Sequence, residues 1–272
     1  MYYEIKPVNK LSLGLRELWE FRELFYFFTW RDIKVKYKQT FLGFAWAILQ
    51  PLLMMIIFSV FFGKALNVPS DNIPYPVFVY SGLLLWNIFS SGISGAGNSM
   101  VSNANIIKKI YFPRLIIPFS SVLVSLFDFA MAFIIFIGML IFYHPQINIF
   151  KLIILMPAGL FFASISTFGI GTWLAALNIK YRDFRYVIPF LVQALLFLTP
   201  VIYPVSVLTH EWMKYIIAIN PMYCALEFFR SGIINHPVDM HLLVISIASS
   251  FVFFMIGIFY FRKTESYFAD LA

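Results

Sequence analysis

Six long apolar stretches, near residues 41–63, 75–97, 116–142, 150–177, 186–203 and 242–261, decide what this chain can fold into. A hydrocarbon core about 30 Å thick is crossed by roughly 20 apolar residues of helix. Backbone groups that face lipid must bond within their own segment, so these stretches are expected to be helices. The predicted fold class is an all-α integral membrane protein with six transmembrane helices. Composition agrees: 61% of residues are hydrophobic, 12% are charged and mean hydropathy is +0.83, a balance foreign to water-soluble domains.

Orientation follows from the basic residues, which resist translocation and gather on the cytoplasmic side. Sixteen of the 20 Lys and Arg lie in four places: residues 1–40, the loop after the second span, the loop after the fourth, and the C-terminus. Lys64, Lys151, Lys214 and Arg230 fall in the alternate loops. Both termini are therefore expected in the cytoplasm, and eight basic residues ahead of the first apolar run argue against a signal peptide. The net charge of +7 needs no nucleic-acid partner. Membrane lipids, with an anionic lipid or substrate headgroup, account for it. Cys224 is the sole cysteine, which excludes an internal disulfide, and no Cys/His spacing suggests a metal site. The expected organisation is a cytoplasmic segment over 1–40, a transmembrane domain over 41–261 and a tail over 262–272.

Within residues 15–40, Leu18, Phe21, Phe25 and Phe28 recur at helical spacing and are followed by Arg31, Lys34 and Lys38. This pattern predicts an amphipathic interface helix, with its aromatic face at the acyl boundary and its basic face toward phosphates. Pro51 should disturb the first span. The Ser- and Gly-rich run Ser90–Gly97 favours close helix contact. The loop over 98–114 can form one or two helical turns. Asp128 stands alone as a carboxylate near the middle of a span, where a charge costs at least about 2.5 kcal/mol. It is expected to be held by hydrogen bonds inside the protein. Gly159, Ala163, Thr167, Gly171 and Ala175 recur every four residues and predict a packing seam, within one chain or between two. Thr199-Pro200 and Tyr203-Pro204 are followed by apolar runs near 212–219 and 222–234 that are too short to cross, so short re-entrant or external helices are expected over about 204–236. Glu227 and Arg230, three residues apart, could pair on the second of them.

No GxSxG, HExxH or GxxxxGK[ST] pattern occurs, and the four histidines lie in or beside the weakly basic loops. No catalytic residue is predicted. Without a Walker motif, a transporter must use an ion gradient, act as a channel or borrow ATP hydrolysis from another polypeptide. A lone Asp128 makes a poor relay, and a protruding loop favours borrowing. Aromatics are abundant, with 33 Phe, 15 Tyr and 6 Trp. Most suit lipid packing, while Trp30, Trp46, Trp86, Tyr203 and Tyr223 are candidates for contact with sugar faces.

The run Trp30-Arg31-Asp32-Ile33-Lys34-Val35-Lys36-Tyr37-Lys38, with Leu42-Gly43-Phe44-Ala45-Trp46 and Gln50-Pro51, resembles the membrane subunits of bacterial ATP-binding cassette exporters of lipid-linked polysaccharides. Asn105-Ile106-Ile107-Lys108-Lys109, Phe112-Pro113-Arg114, Asn178, Arg182-Asp183, Pro200-Val201-Ile202-Tyr203-Pro204 and Asn220-Pro221-Met222 continue that resemblance in order. It is similar to the permeases that export O-antigen, capsule and teichoic acid. The resemblance implies a homodimer around a continuous channel, working with two nucleotide-binding ATPase subunits that hold the ATP and Mg, so that no cofactor is expected on this chain. It implies a coupling helix near 99–110, with Ser99, Asn103, Asn105, Ile106, Lys108 and Lys109 meeting the ATPase. It implies a polyprenyl-diphosphate-linked glycan as substrate, its headgroup entering past Arg31, Lys34, Lys38, Lys180, Arg182 and Arg185. Trp46, Trp86, Tyr203, Pro204 and Tyr223 are the expected channel and external gate.

Two other classes stay open on the sequence: an ABC exporter of small lipophilic molecules, and a membrane enzyme acting on polyprenyl-linked sugars. An enzyme should bring two or more acid or base groups to one face, whereas Asp128, Asp183 and Glu227 are expected at different depths. The charge split makes a direct prediction. Single cysteines placed at Lys109 and Lys214 should label from opposite sides of sealed vesicles, and labelling from one side would contradict it.

Overall fold

The computed structural model describes residues 15–38, 40, 42–71, 73–143, 148–233, 238–265 and 268. Residues 1–14, His144, His236 and most of the tail beyond Glu265 lie outside the described residues, and with them parts of the expected N-terminal and C-terminal segments. Every long regular element among the described residues is helical. Two helices, α1 (Leu15–Glu20) and α2 (Arg22–Lys38), precede the spans. Then come α3 (Ala45–Phe58), α4 (Tyr75–Ser102), the single turn α5 (Ala104–Ile107), α6 (Ile116–Tyr143), α7 (Ile149–Lys180) and α8 (Phe184–Leu198). Short helices α9 (Glu211–Ile219) and α10 (Met222–Ser231) follow, before α11 (Met240–Thr264).

Among the described residues, five helices are long and apolar enough to cross a membrane: α3 extended by a π-helical turn to Ala65, α4, α6, α7 and α11. The sixth, α8, is apolar but spans only 15 residues, about 22 Å at 1.5 Å per residue. The expected span over 186–203 thus stops early, at Leu198. The cause is local. Thr199 precedes Pro200 and adopts an extended conformation, as residues before proline do, and Pro200 and Pro204 have no N–H to continue a helix.

Chain that leaves a helix at membrane depth must still satisfy its carbonyls. Arg230 of α10 does this. Its guanidinium donates to the carbonyl oxygens of Pro200 (2.7 Å), Val201 (2.8 Å) and Phe78 (3.2 Å), and its Nε to Ser81 Oγ at 3.3 Å. The same group lies 3.8 Å from the centroid of the Phe78 ring. A Cβ on Gly82 would fall 2.5 Å from Arg230 Nη2 and 2.9 Å from the Val201 carbonyl, so the residue facing this knot has to be glycine. The expected Glu227–Arg230 pairing is only part of the picture: the Glu227 carboxylate acts electrostatically on Arg230, while the guanidinium's hydrogen bonds go to backbone and to Ser81.

Helix α4 is the centre of the fold, with 78% of its most apolar window buried. It packs on α6 and α7, and α7 packs in turn on α10 and α11. The small-residue stripe of α7 is a seam within one chain: Gly159, Ala163, Thr167, Gly171 and Ala175 are all buried. At Gly159 a Cβ would meet the Ala225 carbonyl at 2.6 Å, which sets how closely α10 approaches. Helices α3 and α8 pack far less. The α3 span has 6% of its window buried, and of α8 only Ile188 is buried.

Replacing Arg230 with Met should destabilise the purified protein by about 2 kcal/mol or more, because several buried carbonyls lose their donor. Arg230→Lys should fall between the two, since one ammonium cannot reach acceptors on both sides. Thermal unfolding in detergent measures this, and a lysine variant as stable as the native protein would contradict it.

Candidate docking and transport sites

The basic end of the bundle is organised by α2. Phe25 packs edge-on to Phe119 of α6 at 5.2 Å, and farther along Tyr37 meets Phe127 at 6.3 Å, so α2 climbs along α6. The stripe expected at the acyl boundary faces protein. Phe28 is buried beside Phe112, and Leu18, Phe21 and Phe25 join the same cluster. The aromatics left exposed are Trp19, Tyr26, Phe27 and Trp30. This helix has apolar residues on both faces, and the face bearing Phe28, Ile33 and Tyr37 is the one that found protein to pack against.

The climb ends at Asp128. Lys36 Nζ donates to one of its carboxylate oxygens and Tyr37 Oη to the other. The position is 12 residues into α6, about 18 Å along it. The structure therefore accounts for this costly carboxylate as a clamp that fixes the depth of α2, with Ile33, Tyr37 and Val124 packed around it. Gly43, at φ +50°, turns the chain from α2 into α3 just beyond.

The loop after α4 carries the residues expected to couple. Ser99 is buried and bonds within its own helix, to the Ala96 carbonyl at 2.6 Å. Asn103 is engaged twice: its amide donates to the Ser99 carbonyl at 2.8 Å, and its Oδ1 accepts from Arg31 at 2.8 Å. Arg31 also pairs with Asp32 at 2.7 Å and covers the Phe28 ring. Ile106 is half-buried, Ile107 is buried, and Asn105, Lys108 and Lys109 are exposed. The sequence reading missed Val101, Ile110 and Tyr111, large exposed side chains on the same protrusion. For Ile110 and Tyr111 the signal was their place directly after the Asn-Ile-Ile-Lys-Lys run.

Beside this loop lies a cavity of about 710 Å³ lined by Asn98, Val101, Ser102, Ala104, Asn178, Ile179, Arg182 and Arg185. Asn178 holds its wall, donating to the Gly97 carbonyl at 2.8 Å and to Asn98 Oδ1 at 3.1 Å. The six cations expected at an entrance thus separate. Arg182 and Arg185 line the cavity, Lys180 sits over the Tyr181 ring, Lys34 sits over Trp30, Lys38 is exposed and Arg31 braces the loop.

At the far end, a cavity of about 390 Å³ is lined by charged groups that include Asp71, Lys214, Glu227, Arg230 and Asp239, together with Tyr223 and Pro204. Tyr203 donates to the Phe197 carbonyl at 2.8 Å, bracing the end of α8, while Tyr223 is buried against Ile217, Ala218 and Leu242. Trp86 is enclosed in the main core at 6% exposure, and Trp46, at the start of α3, is 50% exposed.

A bundle of apolar helices with a protruding basic loop at one end, a cationic cavity beside it and broken helices at the other defines a polytopic membrane transporter. The sequence pattern of ABC-2 type transporters matches residues 23–234, and the chain belongs to that family. It is 29% identical over 243 residues to an O-antigen export system permease protein RfbA of Klebsiella pneumoniae, covering 89% of this chain and 92% of the relative. An RfbA of Myxococcus xanthus is 28% identical over 226 residues, with 82% and 84% covered. The polysialic acid transport protein KpsM of Escherichia coli is 22% identical, with 86% and 91% covered.

The Asp128 clamp yields a prediction. Asp128→Ala leaves the Lys36 ammonium and the Tyr37 hydroxyl without their acceptor, which should cost about 1 to 3 kcal/mol. Asp128→Asn, which keeps one acceptor oxygen, should lose less. Thermal unfolding in detergent measures both changes, and an Asp128→Ala protein as stable as the native one would contradict the clamp.

Proposed function

We propose that this chain is the membrane subunit of an ABC exporter that carries a polysaccharide on a polyprenyl diphosphate, with O-antigen as the glycan, across the bacterial inner membrane. The observation that carries the reading is the 710 Å³ cavity in which Arg182 and Arg185 stand beside Asn98 and Asn178. Planar guanidinium groups recognise phosphate oxygens in pairs, and asparagine amides add donors without adding charge. An anionic diphosphate fits such a cavity at the cytoplasmic surface, while its polyprenyl tail stays in lipid. Membership of the family and the names of its O-antigen relatives support the same reading.

In this reading both termini and the docking loop face the cytoplasm, in keeping with the distribution of Lys and Arg. A separate subunit binds ATP and Mg and docks on Asn105, Lys108, Lys109, Ile110 and Tyr111. Movement of the loop passes to α2 through the Arg31–Asn103 bond and from α2 to α6 through Asp128. A second copy completes the channel. Gln193 supports this. It is exposed about two-thirds of the way along α8, in a stretch over 187–198 that is otherwise apolar, and a polar amide there is poorly placed against lipid but well placed against a second copy or a water-filled path.

Reversing the charge of Arg182 and Arg185 together should lower glycan export in cells by about tenfold or more, equivalent to about 1.4 kcal/mol, with permease abundance unchanged. Undiminished export would remove these residues from the headgroup site.

A further inference from the structure

The chain that reaches the docking loop last is its own C-terminal segment. Arg262 and Lys263 read as ordinary topogenic charges in the sequence, but Arg262 is buried, at 6% exposure. Its guanidinium donates to Glu265 Oε2 at 2.9 Å. The other oxygen of that carboxylate, Oε1, accepts from the backbone N–H of Arg114 at 3.1 Å, and the Arg114 guanidinium donates to the Glu265 carbonyl. Phe268 then turns inward. It is fully buried, edge-on to Phe261 with centroids 5.0 Å apart, and Arg114 lies 6.0 Å from its centroid. The cluster that encloses Phe268 also holds Phe28 of α2, Ile107 of α5, Phe112 and Leu115.

Two physical points give this junction a purpose. The turn α5 has four residues, and a single helical turn cannot sustain itself, because nucleation costs more than one turn of bonds returns. Its position must therefore be imposed from outside. Arg31 fixes the start of the protrusion through Asn103, and Glu265 fixes its end through Arg114. Moreover, Arg114 lies two residues before α6, where a carboxylate is favoured by the helix dipole, and Glu265, 151 positions later, accepts a hydrogen bond from its N–H.

We propose that Arg262, Glu265 and Phe268 near the C-terminus are working parts of the ATPase-docking platform, with Glu265 as the positioning residue that holds the far end of the loop in register. This rests on the reading that the loop docks on an ATP-hydrolysing subunit. These residues and α2 grip the protrusion from its two ends, leaving Asn105, Lys108, Lys109, Ile110 and Tyr111 presented outward on a rigid base. Loss of the Glu265 carboxylate removes the acceptor of the Arg114 N–H and leaves only the bond from the Arg114 guanidinium to the backbone carbonyl of residue 265, which loosens the loop from α11 while leaving the spans packed.

The test uses the full-length permease purified with its cognate ATPase subunit. Glu265→Ala should speed backbone amide exchange over residues 104–112 by about tenfold and weaken ATPase binding by about fivefold or more, while the permease alone stays folded and still unfolds in one cooperative transition. Glu265→Gln, which keeps an acceptor for the Arg114 N–H, should restore most of the protection. Phe268→Ala, acting through packing instead of charge, should reproduce the loosening. Wild-type exchange and ATPase affinity in both Glu265→Ala and Phe268→Ala would overturn the proposal, as would a loss of affinity matched by global unfolding in all three variants. Failure of the native permease to bind the ATPase would instead undo the underlying reading of the loop.

Discussion

Lipid offers no hydrogen bond to a peptide group, and that constraint is felt most where the fifth apolar segment stops at Leu198. The carbonyls of Pro200 and Val201 have left the helix without leaving the protein. Arg230 meets both, reaches Phe78 and Ser81 on α4, and stacks on the Phe78 ring. A long donor-rich side chain thereby joins the broken strand of chain to the central helix. Asn220 supports the same region, donating to Thr199 Oγ1 at 2.7 Å and accepting from the Met222 N–H at 3.0 Å. Without these donors α10 would have no fixed place beside α7, nor α9 beside α10 and α11, and the charged cavity at that end would have no walls.

The opposite end obeys the same rule with side chains in place of backbone. Asp128 is affordable in α6 because Lys36 and Tyr37 take both of its oxygens. The result is a chain of short polar links running from the protruding loop through Arg31 to α2 and from α2 to α6. Between the ends, α4, α6, α7, α10 and α11 form one closely packed body. Helices α3 and α8 have little internal packing to hold them. A transporter needs this division, since a substrate path can open only where packing is weak.

Much of this was legible in the sequence, because apolar length and small-residue spacing act locally. The segments near 41–63, 75–97, 116–142, 150–177 and 242–261 all correspond to helices, and the four-residue stripe from Gly159 to Ala175 lies against α4 and α10 as its spacing implies. The sequence also marked the right loop for the protrusion. What it could not give was partnership at a distance. Asp128 finds its partners 91 and 92 positions away, and Arg230 reaches carbonyls of α4 and of the chain after α8 besides the carboxylate one turn from it. The amphipathic stripe of residues 18–28 was visible, but its occupant was not, because a Phe-rich face suits lipid and protein equally well. Arg262 shows the same limit for charge: a basic residue after a span sets topology whether it points to water or, as here, is buried in an ion pair.

The central claim is that this chain is the passive half of an ATP-driven exporter of a lipid-linked glycan. The most direct measurement is ATP hydrolysis by the cognate ATPase subunit assembled with this permease in lipid vesicles, with and without polyprenyl-diphosphate-linked glycan. The account predicts hydrolysis that requires the permease, rises when the lipid-linked glycan is added, and is lost in the Arg182 and Arg185 charge-reversed protein. Hydrolysis indifferent to both the permease and the glycan would contradict it.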